Sequence, residues 1–249
     1  MTARRIPILL LALALAPATA MAHYPWLTPA GYAPPPGQAL PFRIGWGHDF
    51  PGTDTLPRER LLAAELLDGE GNVLAVPLGP GDEFATPPLP GTGPWVLGVR
   101  QAPGYYSRTP RGGQRSSRAD NPDALSCSHS TNTVKALLGS GAGAVARPLG
   151  HPLEILPLAA TAGTAAPFEV RLLFRGAPWQ GEVNATYEGF DAGEPDYPLT
   201  VTTDADGLAR LSFDRPGRWL IKASASEPYP DPATCDRNNY NATLTLVVR

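Results

Sequence analysis

The chain has 249 residues, a formal net charge of −3 and only 17% charged side chains, so nothing in its charge calls for a nucleic-acid partner. Thirty prolines and 26 glycines disfavour long helices and suit short strands joined by many turns. Two cysteines and four histidines narrow the reactive inventory further.

The first 22 residues read as a secretory targeting segment. Arg4 and Arg5 form its basic start, residues 6–16 an apolar stretch short for a membrane span, and Ala20-Met21-Ala22 a small-residue cleavage pattern. Cleavage there would make His23 the first residue of a periplasmic protein. It would leave 227 residues with 18 basic and 23 acidic side chains, and no stable membrane insertion is expected after cleavage.

From His23 the chain reads as an extended arm, because Pro25, Pro29, Pro34, Pro35 and Pro36 fix φ and remove donors. Residues 38–47 alternate as a strand, with Leu40, Phe42 and Ile44 on one face. Residues 66–74 read as a hairpin turning at Asp68-Gly69 or Gly71-Asn72, and residues 95–100 as a further strand. Residues 101–133 are predicted to be a long polar loop carrying Arg108, Arg111, Arg115 and Arg118. A short helix is predicted over 131–138, before the flexible Gly139-Ser140-Gly141-Ala142-Gly143 run. Beyond Gly150, strands are predicted over 168–174, 181–189, 198–203, 208–213, 217–223 and 242–248. The expected fold is all-β: two antiparallel β-sandwich domains, immunoglobulin-like or prealbumin-like, over 23–150 and 151–249.

Cys127 and Cys235, in an oxidising compartment, point to one disulfide; the alternative makes Cys127 and His129 metal ligands. A histidine at a free N-terminus offers its α-amine and imidazole δ-nitrogen together, a chelate suited to Ni(II) and Cu(II). His48, in Gly45-Trp46-Gly47-His48-Asp49-Phe50 at a strand end, is the second candidate ligand, and His129 in Cys127-Ser128-His129-Ser130 the third. His151 is a further possible ligand, placed at the presumed domain junction. No G-x-S-x-G elbow, H-E-x-x-H helix, Walker loop or dinucleotide fingerprint is present, so binding is expected rather than turnover.

Several stretches resemble a family of periplasmic components of cobalt/nickel transport systems, a domain of unknown function. They are Ala22-His23-Tyr24-Pro25-Trp26-Leu27, Gly47-His48-Asp49-Phe50, Gly104-Tyr105-Tyr106-Ser107-Arg108-Thr109, Cys127-Ser128-His129-Ser130 and Gly150-His151-Pro152-Leu153-Glu154-Ile155-Leu156-Pro157. The resemblance continues through Phe174-Arg175-Gly176-Ala177-Pro178-Trp179 to Thr203-Asp204-Ala205-Asp206-Gly207. It implies a periplasmic, non-enzymatic accessory protein for Ni(II) or Co(II) uptake, passing metal to an inner-membrane transporter. The site expected from it and from the residues is His23, His48 and His129. Two other readings stand beside it: a Cu(II) site built on an N-terminal histidine brace, acting as a chaperone or an oxidase, and a structural sandwich module.

Overall fold

The computed structural model describes residues 23–139, 141, 145–190 and 197–249; the expected targeting segment and most of the glycine run after Gly139 lie outside them. In the first half the strands are β1 (Tyr24–Pro29), β2 (Pro41–Gly47), β3 (Leu61–Asp68), β4 (Val73–Val76), β5 (Glu83–Ala85), β6 (Trp95–Gln101), β7 (Gly104–Thr109), β8 (Gly112–Gln114) and β9 (Ser126–Leu138). The second half adds β10 (Leu153–Pro157), β11 (Phe168–Phe174), β12 (Ala177–Pro178), β13 (Glu182–Tyr187), β14 (Leu199–Thr202), β15 (Leu208–Leu211), β16 (Gly217–Pro228) and β17 (Arg237–Val248). A single 3-10 turn, Arg58–Arg60, is the helical element among the described residues. The protein is an all-β sandwich, and no described helix is long and apolar enough to cross a membrane.

A ten-stranded sheet forms the middle layer, ordered β14-β13-β16-β17-β9-β6-β3-β4, with β7 on β9 and β8 on β7. Neighbouring side chains on its central strands point to opposite faces. Leu66, Leu97, Ala136 and Leu138 enter one core, under the three-stranded sheet β1-β2-β5. Leu67, Val96 and Leu137 enter the other, under the sheet made by β10, β11, β12 and β15. A strand buried on both faces needs apolar residues at consecutive positions, which is why β3, β6 and the end of β9 do not alternate.

That double burial explains one misplaced element. The helix predicted over 131–138 is instead the second half of β9. T-N-T-V-K-A-L-L is apolar at consecutive positions and contains β-branched residues, and a short apolar run has no period that separates a helix from a doubly buried strand. The long loop predicted over 101–133 is also corrected. It holds β7, β8 and the start of β9, and only the stretch between β8 and β9 stays irregular. The hairpin at 66–74 and the six strands predicted beyond Gly150 are found, with ends shifted by a few residues.

The two halves of the sequence share the middle sheet. β17 pairs with β9 in parallel, from Arg237 opposite Ser128 to Thr245 opposite Ala136, whereas the other named strand pairs are antiparallel. Beside this seam Lys135 and Glu154 form a fully buried ion pair, Nζ to Oε1 2.5 Å. Glu154 also accepts from the backbone N–H groups of Leu149, Gly150 and His151, so its carboxylate organises the turn into β10. Cys127 and Cys235 are disulfide-bonded, their Cα atoms 5.0 Å apart across 108 residues of sequence. Closing a loop of that length stabilises by roughly 4–5 kcal/mol in the chain-entropy account. Asp236, next to Cys235, accepts from the Cys127 N–H and the Arg118 guanidinium, fastening the irregular segment after β8 to the C-terminal strands.

Candidate metal centre

The expected arm after His23 is an edge strand. β1 pairs with β2 along its whole length, Tyr24 opposite Gly47 through Pro29 opposite Phe42. Its prolines fit because an edge strand has one side free of ladder bonds. On the other side, the Thr243 and Thr245 hydroxyls donate to the Pro25 and Leu27 carbonyls, each at 2.9 Å. These bonds satisfy buried carbonyls that would otherwise cost free energy, and they seat β1 on the middle sheet.

Register then decides which side chains meet at the end of the hairpin. With Tyr24 opposite Gly47, His23 and His48 are the next residues outward on their strands. Their ring centroids lie 4.0 Å apart, inclined at 48°. The His23 ring also stacks on Trp46, 5.9 Å away and 11° from parallel. The Tyr24 hydroxyl donates to the His48 carbonyl at 3.0 Å, bracing the turn that carries this histidine. His23 is exposed, and Trp46 and His48 are half-buried, so solvent and solutes reach the corner.

Beneath it lies an aromatic floor that sequence reading missed. Tyr24, Trp26 and Phe50 pack with Leu220 of β16 as a small core, the Trp26 and Phe50 rings edge to face. Gly45, opposite Trp26, makes this possible: a Cβ there would sit 2.1 Å from the Trp26 indole nitrogen. The signal was present in Gly45-Trp46-Gly47, where glycines in a strand mark a close approach.

Two cations lie against the aromatic rings of this region. The Arg60 guanidinium lies 4.9 Å over the Trp46 ring, and the Lys222 ammonium 4.1 Å over the Tyr24 ring. Burial, and then the charge of Arg115, push Arg60 below the usual guanidinium range.

A two-histidine metal site requires two rings that can point at one ion. Metal–nitrogen bonds of about 2.0–2.1 Å put an ion about 3.2 Å from each ring centre, so adjacent imidazole ligands have centroids about 4.5 Å apart at a right angle and about 5.2 Å at a tetrahedral one. His23 and His48, 4.0 Å apart, are in ring contact, and their rings would have to part by about half an ångström to share an ion. No group of three or more His, Cys, Asp or Glu side chains converges among the described residues.

The other two histidines lie in different settings. His129 faces Tyr105 across the β7–β9 ladder, with centroids 4.7 Å apart, and its Nδ1 lies 3.0 Å from Asn238 Oδ1. Tyr229 completes that cluster, its hydroxyl 2.5 Å from that of Tyr105, and this shared hydrogen bond raises the Tyr105 pKa. Cys127, its sulfur held in the disulfide, offers no thiolate. His151 is buried between the sheets, and neither ring nitrogen has a hydrogen bond among the described residues. Its Nε2 stands 3.6 Å from Glu65 Oε2, and burial, with Lys135 and Arg100 nearby, holds its pKa down to about 3. Burial thus favours its neutral form.

No match is found among curated proteins. Among solved structures, one similar chain is the D0-D1 domain of intimin, 14% identical, with 88% of this chain and 96% of that one covered at a TM-score of 0.22. The family model described as "Domain of unknown function (DUF4198)" matches residues 20–227, from just before His23 through β16, and the chain belongs to that family.

Proposed function

We propose that this is a periplasmic, non-catalytic metal-binding protein serving Ni(II) or Co(II) uptake, and that it holds the ion at the His23–His48 corner. The observation that carries the reading is the 4.0 Å approach of two imidazoles from residues 25 apart, at an exposed hairpin end. In the chain as translated the His23 nitrogen is an amide. Removal of the first 22 residues turns it into an amine, and the amine joins the two imidazoles as a third nitrogen donor. Nitrogen donors in this number suit Ni(II), Co(II) and Cu(II). His129 lies with Asn238 and the two tyrosines, and this reading leaves it outside the chelate. An accessible, incompletely ligated ion suits transfer to an inner-membrane transporter, the partner this reading implies.

The test is a titration of Ni(II), Co(II) and Cu(II) into protein whose first residue is His23. One extra alanine before His23 keeps every side chain and removes the terminal amine from the chelate, and His48→Ala removes one imidazole. Each change is expected to weaken Ni(II) binding by tenfold or more, as lost ligands do. Copper should bind most tightly in vitro whatever the cargo, following the Irving–Williams order. Affinity should fall as pH drops through the histidine range near 6–7, because the ligands must be deprotonated. Binding unchanged by both variants refutes the proposal.

A further inference from the structure

Where the start of β10 and the β11–β12 turn meet β17, they border an open cleft of about 520 Å³, lined by Gly150, His151, Pro152, Arg175, Gly176 and Tyr240. That volume is in the range of small-molecule sites. His151 is 2% exposed, and neither of its ring nitrogens has a hydrogen bond. Glu65 Oε2, 3.6 Å from Nε2, is too far to supply one. A buried polar group without a partner costs roughly 1–3 kcal/mol, and groups of this kind mark places where something else binds. Arg175-Gly176 is a two-residue hairpin loop with φ positive at both positions, 51° and 79°, tied to β10 by the Arg175 N–H, which donates to the Pro152 carbonyl at 2.8 Å. Asn-Gly is the favoured sequence for such a loop, so the turn itself does not call for arginine. Arg175 is the one non-glycine residue with positive φ among the described residues. Its guanidinium lies over the Phe174 and Tyr240 rings, 4.8 and 5.7 Å from their centroids. Nη2 donates to Glu227 and to the Tyr240 hydroxyl, which in turn donates to Glu227 at 2.9 Å. Among the described residues nothing accepts from Arg175 Nε or Nη1.

The charges around the cleft cancel in pairs. Arg175 is matched by Glu227, and around His151 Lys135 is matched by Glu154 and Arg100 by Glu65. A surround without net charge gives an ion of either sign little advantage. An apolar guest is no better served, because no Leu, Ile, Val, Met or Phe side chain lines the cleft. The unmet capacity is for hydrogen bonds: N–H donors on Arg175, and a neutral imidazole that carries one donor and one acceptor. A hydroxyl likewise carries one donor and accepts at its lone pairs, so hydroxyls match both groups.

We infer that this cleft binds a small uncharged polyhydroxyl compound, the size of a mono- or disaccharide, with one hydroxyl accepting from Arg175 Nε or Nη1 and another pairing with the His151 ring. Both imidazole nitrogens are turned away from solvent, but no hydrogen bond holds the ring. A half-turn about its last torsion exchanges ring carbons with nitrogens, breaks no bond and lets a nitrogen face the guest. The cleft shares no residue with the His23–His48 corner, and the inference stands apart from the metal-binding reading.

Glucose, maltose, N-acetylglucosamine and chitobiose are the probes, titrated into metal-free protein that begins at His23. Proton–nitrogen NMR correlations of the imidazole rings give the readout, with the His151 signals assigned by their loss in His151→Phe. At least one of the four sugars is expected to shift the His151 nitrogens saturably while the His23 and His48 signals stay in place. Acetate and tetramethylammonium, the charged controls, should leave His151 unmoved. Arg175→Asn puts a residue suited to positive φ into the loop and removes the guanidinium. It should weaken sugar binding by roughly tenfold, as for one lost hydrogen bond to a charged group, and leave Tm within a few degrees of the unchanged value. Should Arg175→Asn disturb the hairpin, Arg175→Gln keeps the chain length and carries the same expectation. The inference is overturned if none of the four sugars moves the His151 nitrogens, if either charged control moves them as far, or if a folded Arg175 variant binds sugar with unaltered affinity.

Discussion

Two clusters of titratable side chains in this protein have opposite characters. At the hairpin corner, His23 and His48 meet in reach of solvent, walled by Trp46 and floored by Tyr24 and Trp26. In the interior, Lys135, Glu154 and His151 meet where the two halves of the sequence share a sheet, and each is at least 97% buried. The interior ion pair is closed: Glu154 takes four donors, and Lys135 is matched by Glu154 and the Ile155 carbonyl. The corner is open to solvent on the His23 side. The contrast teaches that a histidine's neighbours, more than its place in a motif, decide whether it is a ligand or a structural group. His48 and His151 both follow a glycine in the sequence, yet one lies at an accessible strand end and the other inside the fold.

The largest expected effect breaks the closed cluster. Glu154→Ala removes the carboxylate and leaves Lys135, whose pKa burial already lowers, without its counter-charge. Three backbone N–H groups lose their acceptor as well. Breaking one side of a buried pair costs about 3–5 kcal/mol, so chemical denaturation should show a loss of that size. Nickel affinity of any folded Glu154→Ala protein should stay at the unchanged value, since the corner does not depend on this cluster. A loss below 1 kcal/mol would mean that water reaches Lys135.

A smaller effect comes from acid. His151 titrates near 3 when folded and near 6.5 when unfolded, so between these values the unfolded chain binds the extra proton. Its contribution to stability is therefore present above about pH 6.5 and is lost as pH falls toward 3, amounting to about 2 kcal/mol by pH 5. His151→Leu should flatten that part of the stability–pH curve relative to the unchanged protein. Identical slopes for the two between pH 6.5 and 5 would show that the interior admits a charged imidazole.

How much of this was legible follows from burial. Strands packed on one face, such as β2 with Leu40, Phe42 and Ile44 leading into it or lying along it, alternate visibly, and the turn signals Asp68-Gly69 and Asp204-Ala205-Asp206-Gly207 punctuate them. β9 was illegible because both its faces are covered, by elements distant in sequence. β7 and β8 were illegible for a different reason: G-Y-Y-S-R-T and G-G-Q have little apolar surface, and pairing of β7 with β9, and of β8 with β7, holds them. In the site, the candidate residues His23 and His48 could be named from strand ends, but their approach depends on β1–β2 register. Arg60 and Trp46 could not be paired in advance, since a 3-10 turn and its tether to Ala102 set that contact.

The smallest expected effect separates the third histidine from the corner. His129 occupies a middle ground: half-buried, with Nδ1 near Asn238 Oδ1 and its ring against Tyr105 and Tyr229. If Nδ1 carries the proton and donates to Asn238, the remaining nitrogen keeps a lone pair, as in many metal-ligating histidines. The neighbours argue for structure instead, because the two tyrosine hydroxyls bond to each other and the rings pack edgewise around the imidazole. His129→Ala should then cost about 1 kcal/mol, the worth of one net hydrogen bond and some ring packing. In a chain of this size that is a fall in Tm of roughly 2–4 °C. Nickel affinity, measured on the same preparation, should match the unchanged protein while His48→Ala weakens it. A tenfold weakening by His129→Ala at unaltered Tm would instead make His129 the third side-chain ligand, and would require the β7–β9 edge to approach the hairpin corner when metal binds.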